Sequence, residues 1–460
     1  MADFNTLSAE LRPRLSAEAR IVGKEGTIQR WDESCAPTPI MTVAAHCETD
    51  VAETVKYCRG KGLKCLAQSG GHSWRVRNYR DIDVVICMRE LNQVQVDEKA
   101  GTATFGGGTL VGELIDAVTE KNLEVATGVC NSVGVMGALL YGGVGRYIGK
   151  YGLGIDNLIS INCVDSTGRL HYNVTEETDE ELWWAIRGAG VSLGIVTQAT
   201  MKAYPVSNGG MSWTGTLMYG DQSKLENIIQ ALTETEMDEN MCAHVLFACP
   251  PPTLAPVIVV VPWYYGPEAE AEKVWRGLLE LKPTVKLTGM IAANKLNEEH
   301  DAFGEKGGRK PGVGIGLQKL DPVAYRQIWN LYVNFIKENP DAGRSIVLTE
   351  CFSKEKTRSV AAESTAFANR DINYEVICVP WYTDSKLDIR ANSFSQSVRE
   401  VWVQKCSHPD RVRCYPAFAG LKEPIESLFG EEERIKKLKA IKKLWDPDNY
   451  WGALMDLSNS

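Results

Sequence analysis

The stretch LAQSGGHSW, residues 66–74, decides how the rest of the chain is interpreted. Apolar residues lead through Gln68 and Ser69 to a Gly-Gly pair, and His72 follows directly. Two glycines allow a sharp backbone turn whose N–H groups can lie against an anionic group such as a pyrophosphate. Taken alone, the stretch is better explained by a hairpin turn and a surface histidine, so its meaning depends on the segments around it.

A second glycine-rich segment, residues 126–158, changes this balance. It contains nine glycines, at positions 128, 134, 137, 142, 143, 145, 149, 152 and 154. So many glycines would weaken an ordinary helix or strand. A third run, at 106–108, opens a predicted helix over 110–120, a geometry that suits phosphate groups. The long segment could be a loop that crosses a sheet, but three such runs favour backbone packed against a large flat ligand.

Length and charge narrow the class of protein. The chain has 460 residues, beyond the ~250–300 at which a single core stops growing, so we expect two domains or one domain with a large insertion. Fifty basic and 59 acidic side chains give a net charge of −9, which argues against nucleic acid as a partner.

Other features bear on location and on metals. The N-terminal residues lack the apolar core of a secretion signal, and no stretch reaches the ~18 apolar residues of a membrane span. We therefore expect an intracellular, cytoplasmic protein with no membrane partner. The thirteen cysteines show no CxxC spacing, so we expect free thiols and no metal site.

The hydrophobic pattern outlines two regions. A strand at 40–45, a helix at 48–61 and a strand at 63–67 precede the Gly-Gly turn. After Pro205, strands of alternating character separate helices, as in an antiparallel sheet with helices on one face. The strands predicted there cover 211–219, 243–248, 257–263, 344–352 and 374–382, and the helices cover 222–235, 268–279 and 324–337.

Five short motifs occur in a fixed order along the chain. They are SGGHS at 69–73, CNSVGVMG with GGVG and KYGLGIDN between 130 and 157, GAGVSLGIVT at 188–197, TAFANRD at 365–371 and DPDNYW at 446–451. Together they resemble the berberine-bridge-enzyme-like FAD-linked oxidases of the vanillyl-alcohol-oxidase superfamily. The resemblance implies an α+β fold. A PCMH-type split FAD-binding domain, 1–205 and 416–460, would enclose an α+β substrate-binding domain with an antiparallel sheet, 206–415.

The resemblance also implies the cofactor. His72 matches the histidine that bonds to the flavin 8α-methyl group, and Cys130 matches the cysteine that bonds to C6 in bicovalent members; an unlinked thiol is the alternative for Cys130. Val133 matches the position near flavin C4a that admits oxygen, where a small residue suits an oxidase. The further cofactor-binding residues implied are Gln68, Ser69, Gly70, Gly71, Ser73, Gly107, Gly128, Gly134, Gly137, Gly142, Asp156, Asn157, Gly194, Val196 and Tyr450.

The chain departs from the family where a general base is expected. The usual YxNY is Tyr415-Pro416-Ala417-Phe418 here, and Ile377 stands where many members have Gln or Glu. Tyr415 is the leading candidate for the base. Tyr141, Glu375 and Tyr382 are the reserves, although each could be structural, since tyrosine rings commonly line pockets.

The function implied is that of a FAD-dependent oxidase. It would take hydride from a small organic substrate to flavin N5 and pass the electrons to O2, giving H2O2. The apolar departures favour an aromatic, alkaloid or polyketide-type secondary metabolite. A dehydrogenase with another acceptor, or a flavoprotein that binds or cyclises a ligand without net redox turnover, are the alternatives.

Overall fold

The computed structural model describes residues 3–24, 28–74, 76, 79–251, 254–408 and 411–457, and its first sheet carries the Gly-Gly turn. After helix α1 (Phe4–Leu11), the sheet is formed by β1 (Arg20–Gly23), β2 (Met41–Ala44), β3 (Cys65–Gln68) and β4 (Val84–Cys87), in the order β1-β2-β4-β3. β2 and β3 both run parallel to β4, and helix α2 (Glu48–Lys61) connects β2 to β3 as predicted. The turn therefore leaves the carboxyl end of β3.

Helix α2 has clear start and stop signals. The Asp50 carboxylate accepts hydrogen bonds from the N–H groups of His46 and Cys47 at 2.9 and 3.1 Å, which satisfies donors at the helix start. The helix ends at Gly62, whose φ of +68° is the left-handed conformation that glycine adopts without strain. These two ends fix where β3 and the turn begin.

A second sheet is antiparallel throughout and contains two hairpins. Its strands are β5 (Val94–Asp97), β6 (Thr102–Gly106), β8 (Leu158–Val164), β9 (Leu170–Val174) and β10 (Ile195–Lys202), in the order β5-β6-β10-β8-β9. A short pair joins β7 (Leu123–Glu124) to β11 (Tyr204–Pro205). Helix α3 (Val111–Thr119) lies between β6 and β7, where the sequence predicts it.

The glycine-rich segment is more ordered than a plain loop. It contains α4 (Val135–Leu139), α5 (Ile148–Tyr151) and a 3-10 turn over Gly154–Asn157. Its glycines permit close crossings, because a Cβ at Gly145 would lie 1.9 Å from the Thr127 carbonyl oxygen. The short helices were not predicted, since so many glycines obscure any helical period.

A seven-stranded antiparallel sheet follows. Its strands are β12 (Met211–Tyr219), β13 (Met241–Ala248), β14 (Val257–Tyr264), β15 (Val285–Ala292), β16 (Val313–Leu317), β17 (Ile346–Phe352) and β18 (Tyr374–Val379), in the order β15-β12-β14-β13-β17-β18-β16. The sequence predicts five of these and misses the two edge strands. β15 is largely exposed and β16 is short and contains two glycines, so neither has a strong strand pattern.

The two faces of this sheet are covered differently. One face packs against helices α7 (Leu225–Glu234), α10 (Pro322–Glu338) and α12 (Asp388–Lys405), and shares one apolar core with them. The opposite face turns toward the Gly-Gly turn. The fold is thus α+β, with the predicted antiparallel sheet and helices on one face. Helix α12 was not predicted, because its first half has few large apolar residues.

The remaining helices connect or flank these sheets. They are α6 (Glu180–Ala189), α8 (Glu268–Val274), α9 (Arg276–Glu280), α11 (Glu355–Ser359), α13 (Ile425–Phe429) and α14 (Glu432–Trp445). Among the described residues, none of the helices combines the length and apolar character that a membrane crossing requires. No two of the thirteen cysteines, all within the described residues, are joined by a disulfide.

The Gly-Gly turn gives the first testable prediction, since it crosses the glycine-rich segment at very close range. A Cβ at Gly70 would lie 2.5 Å from the Ser132 carbonyl oxygen and 2.6 Å from the Gly134 nitrogen. Gly70→Ala should therefore lower the free energy of unfolding by about 1–3 kcal/mol, as overpacking does. Gly60→Ala is the matched control: it is helical and meets nothing within 4 Å, so it should gain up to about 1 kcal/mol. Denaturant titration measures both, and equal effects would contradict the crossing.

Candidate active site

A cavity of about 320 Å³ lies between the Gly-Gly turn, the glycine-rich segment and the free face of the seven-stranded sheet. Its size falls at the lower end of ligand pockets, which range over ~300–1,000 Å³. Most of its lining is apolar, with a few convergent polar groups. It is therefore the candidate site for chemistry.

Arg30 holds the Gly-Gly turn in place. Its guanidinium donates at 3.0 Å to the Gln68 side chain and at 2.8 Å to the Ser73 carbonyl oxygen, on either side of the turn. The backbone N–H of Trp31 donates to the Gly71 carbonyl oxygen at 3.0 Å. The turn is thereby fixed from both sides, and His72 is presented to the cavity.

His72 and Cys130 meet at one serine hydroxyl. The Ser132 Oγ lies 2.9 Å from His72 Nε2 and 3.5 Å from Cys130 Sγ. Burial, with the positive charges of Lys306, Lys310 and Arg30, lowers the pKa of His72 to about 3, so the imidazole is neutral. Burial also raises the pKa of the Cys130 thiol. Two residues far apart in the sequence are thus brought to the same edge of the cavity.

The glycine-rich wall leaves backbone open to the cavity. Gly137 lines it, and a Cβ placed there would meet no atom within 4 Å. At Gly128, also in the lining, the nearest atom would be 3.8 Å away. A flat ring can lie directly against such a wall, so the residues present fit an isoalloxazine.

The opposite wall consists of side chains on neighbouring strands of the seven-stranded sheet, which are aligned in rows by the strand register. Leu246, Leu348 and Ile377 are neighbours across β13, β17 and β18, and all three line the cavity. The next row on the same face is His244, Glu350 and Glu375, two residues along each strand. An apolar band therefore adjoins an ionisable row.

Glu350 is the carboxyl group of this row that opens onto the cavity. It is only 4% exposed, and among the described residues no hydrogen bond to its carboxylate is found. Burial, and then the charge of Glu375, raises its pKa to about 8, against the opposing effect of Lys354 and Arg146. Such a group can take up or release a proton near neutral pH.

His300 stands beside this row, on the cavity wall. Its Nε2 lies 2.8 Å from His244 Nδ1, and the Arg146 guanidinium donates to its Nδ1 at 3.4 Å. Because arginine can only donate, His300 accepts at Nδ1 and therefore donates from Nε2 to His244. Burial keeps the pKa of both histidines low, so neither adds positive charge near Glu350.

The structure places the other predicted catalytic residues as follows. Tyr415 and Tyr141 both line the cavity. The backbone N–H of Val144 donates to the Tyr415 hydroxyl at 3.5 Å, and burial raises the pKa of that phenol. Glu375 lies outside the lining, with its carboxylate 3.8 Å from the Lys354 ammonium. Tyr382 donates to Asp388 at 2.9 Å, also outside the lining.

The predicted cofactor-binding residues fall into two groups. Those that line the cavity are Gln68, Ser69, Gly70, Gly71, His72, Ser73, Gly128, Cys130, Val133, Gly134 and Gly137. Those outside its lining are Gly107, Gly142, Asp156, Asn157, Gly194, Val196 and Tyr450.

Members of the second group have evident structural partners. The Asp156 carboxylate accepts hydrogen bonds from the two terminal guanidinium nitrogens of Arg370, at 2.7 and 2.9 Å. The Tyr450 hydroxyl donates to the Leu63 carbonyl oxygen at 2.8 Å. Asn157 donates to the Leu153 carbonyl oxygen at 2.8 Å. These contacts connect segments of the fold around the cavity.

Sequence reasoning missed Glu350, His300 and the two tryptophans Trp31 and Trp74, all of which line the cavity. The sequence carries only a partial signal for Glu350, which is an acidic residue within an apolar strand. β13, β17 and β18 are apolar strands that each carry one ionisable residue at the same register position. The tryptophans and His300 lie outside regular strands, where no period marks them.

Comparison with known proteins agrees with this geometry. A model described as an FAD binding domain matches residues 39–173, which include both glycine-rich walls of the cavity. FAD-linked oxidoreductase hasG of Aspergillus fumigatus is 28% identical over 91% of this chain and 92% of its own length. FAD-linked oxidoreductase OXR2 of Pyricularia oryzae is 29% identical over 95% of this chain and 89% of its own.

Solved structures agree on the fold. BBE-like 1 of Physcomitrella patens superposes with a TM-score of 0.84 at 20% identity, over 98% of this chain and 99% of that one. A 6-hydroxy-D-nicotine oxidase from Arthrobacter nicotinovorans superposes with a TM-score of 0.80 at 20% identity, over 95% and 97%.

The FAD binding domain model and the relatives named FAD-linked oxidoreductase support an FAD-dependent oxidoreductase. The recognition made from the sequence is confirmed as a resemblance: the chain is similar to the berberine-bridge-enzyme-like FAD-linked oxidoreductases, and its α+β fold is the expected one.

Proposed function

We propose that the protein is an oxidase that removes hydride from an apolar small molecule bearing an acidic O–H or N–H, with O2 as electron acceptor. The observation that carries this proposal is the pairing of two walls: His72 and Cys130 at one edge, and Glu350 on the apolar sheet face opposite. When bound, FAD supplies hydride acceptance at N5 and passes the electrons onward.

Residues 1–205 and 416–460 would hold FAD, and residues 206–415 would hold the substrate. His72 and Cys130 would tether the isoalloxazine covalently, as both nucleophiles face the cavity beside the open backbone of Gly137. The tethers would fix the ring without covering its substrate side.

The substrate wall supports an aromatic, alkaloid or polyketide-type secondary metabolite. Leu246, Leu348 and Ile377 form its centre, and aromatic rings of Trp74 and Phe418 stack at 6.3 Å along its side. Such a surface buries a planar apolar molecule and offers few partners for the many hydroxyl groups of a sugar.

Glu350 would take the substrate proton. Tyr415 is less suited to this role than Glu350, because a buried phenol with a raised pKa is neutral and donates a hydrogen bond. Tyr415 would then orient the substrate. Glu350 has a pKa of about 8, so part of its population is a carboxylate at neutral pH.

Oxygen access supports an oxidase over a dehydrogenase. Val133 lines the cavity three residues after Cys130 and is small. We expect reduced protein mixed with air-saturated buffer in a stopped-flow instrument to reoxidise rapidly and release one H2O2 per flavin. Val133→Leu should slow this step by narrowing the approach. Slow reoxidation of the wild type, with fast transfer to an artificial acceptor, would instead identify a dehydrogenase.

The role of Glu350 predicts a pH profile. With a substrate found by anaerobic flavin bleaching, the rate of flavin reduction should rise with pH and level off above about 8, since the base must be deprotonated. Glu350→Gln should lower the rate by about 10²–10⁴ and abolish this dependence. Glu375→Gln is the matched control: removing its charge lowers the pKa of Glu350 and shifts the profile to lower pH. A substrate panel without any bleaching would favour a role without redox turnover.

Covalent attachment is tested by acid precipitation. Wild-type protein should keep yellow flavin in the pellet, and single variants His72→Ala and Cys130→Ala should each keep one bond. The double variant should release all flavin, because both nucleophiles are gone. Flavin still attached to the double variant would refute both assignments. Flavin lost from the single variant His72→Ala, which retains Cys130, would show that Cys130 forms no bond.

A further inference from the structure

Ser132 stands between the two proposed tether residues. Its hydroxyl lies 2.9 Å from His72 Nε2, 3.5 Å from Cys130 Sγ and 3.3 Å from the Gly304 carbonyl oxygen. Space for other groups there is small, since a Cβ at Gly304 would lie 2.7 Å from Ser132 Oγ and 3.2 Å from Cys130 Sγ. One hydroxyl therefore touches both nucleophiles and a fixed acceptor.

All three contacts of the Ser132 hydroxyl can be hydrogen bonds at the same time in only one arrangement. A carbonyl oxygen can only accept, so the Ser132 hydroxyl donates its proton to Gly304. The Ser132 oxygen then accepts from the Nε2–H of His72 and from the Cys130 thiol. Within the described parts of the chain, Nδ1 of His72 has no hydrogen bond, and in this tautomer it carries the free lone pair.

We propose that Ser132 is a positioning residue for flavin attachment. Its hydroxyl makes Nδ1 the bonding atom of His72, and it holds the Cys130 thiol at the same edge of the ring. This inference rests on the covalent attachment proposed above. The carbon that carries the 8α-methyl group and C6 belong to the same benzenoid ring. Two nucleophiles that contact one hydroxyl can therefore both reach that ring.

The bond-forming steps balance with O2 as oxidant. In the first, a C–H bond of the 8α-methyl group breaks, the Nδ1–C bond forms, and Nε2 loses its proton. In the second, the S–H and C6–H bonds break and the S–C6 bond forms. Each step sends two electrons to the isoalloxazine, and O2 removes them with the two protons as H2O2. After the first bond, the Ser132 hydroxyl can turn and donate to Nε2.

The neutral state of His72 is consistent with this role, because only an uncharged imidazole has a lone pair to bond. Burial and the surrounding cations keep the ring neutral, and Ser132 adds the choice of nitrogen. The Trp31 ring stacks on His72 at 5.9 Å, so the ring plane is fixed while the hydroxyl fixes its rotation.

The test is peptide mapping of purified flavin-loaded protein, with mass spectrometry for each bond and NMR of the flavin peptide for the bonding nitrogen. Wild type should show His72 bonded through Nδ1 and Cys130 bonded as well. Ser132→Ala should lower occupancy of both bonds about tenfold and give some bonding through Nε2. Ser132→Thr, which keeps the hydroxyl, should restore both.

Two further variants keep the outcome decisive. Ser395→Ala removes a buried serine hydroxyl elsewhere in the fold, which donates to the Ala391 carbonyl oxygen at 2.9 Å on α12, and should match the wild type. Should Ser132→Ala not fold, Gly304→Ala displaces the same hydroxyl and should give the same losses. Full occupancy through Nδ1 in Ser132→Ala or Gly304→Ala overturns the inference and leaves the proposed attachment intact. A wild type without covalent flavin overturns both.

Discussion

The close crossing of two backbones at Gly70 is the constraint on which the active site depends. The turn after β3 crosses the glycine-rich segment at Ser132 and Gly134, with no room for a side chain between the two backbones. This contact sets His72 beside Cys130, and Arg30 then holds the turn from its other side. Only glycine fits at position 70, because a Cβ there would collide with the backbone of Ser132. The close crossing in turn sets the position of His72 and the groups that it can contact.

The seven-stranded sheet places one acidic side chain, Glu350, in an otherwise apolar wall of the cavity. Register aligns Glu350 with Glu375, and two neighbouring carboxylates out of water cannot both ionise easily. Lys354 offsets only part of this cost from the buried side. The result is a carboxyl group that exchanges its proton near neutral pH while the surrounding wall stays apolar.

The sequence allows the fold to be predicted better than the substrate side of the site. Glycine runs and the ordered motifs identify the flavin side, because each needs particular residues at particular spacings. Glu350 escaped notice, since its meaning arises only when β17 pairs with β13 and β18, and such pairing is not encoded locally. Edge strand β15 and helix α12 were missed because neither presents a clear apolar period.

The Ser132 hydroxyl also has a consequence for folding order. It joins His72, 60 residues earlier, to Gly304, 172 residues later, so the cluster closes only when distant parts of the chain have met. Contacts of such long sequence separation form late, because loop closure must come first. Attachment of the cofactor would therefore mark chains that are already folded, and would serve as a record of correct assembly.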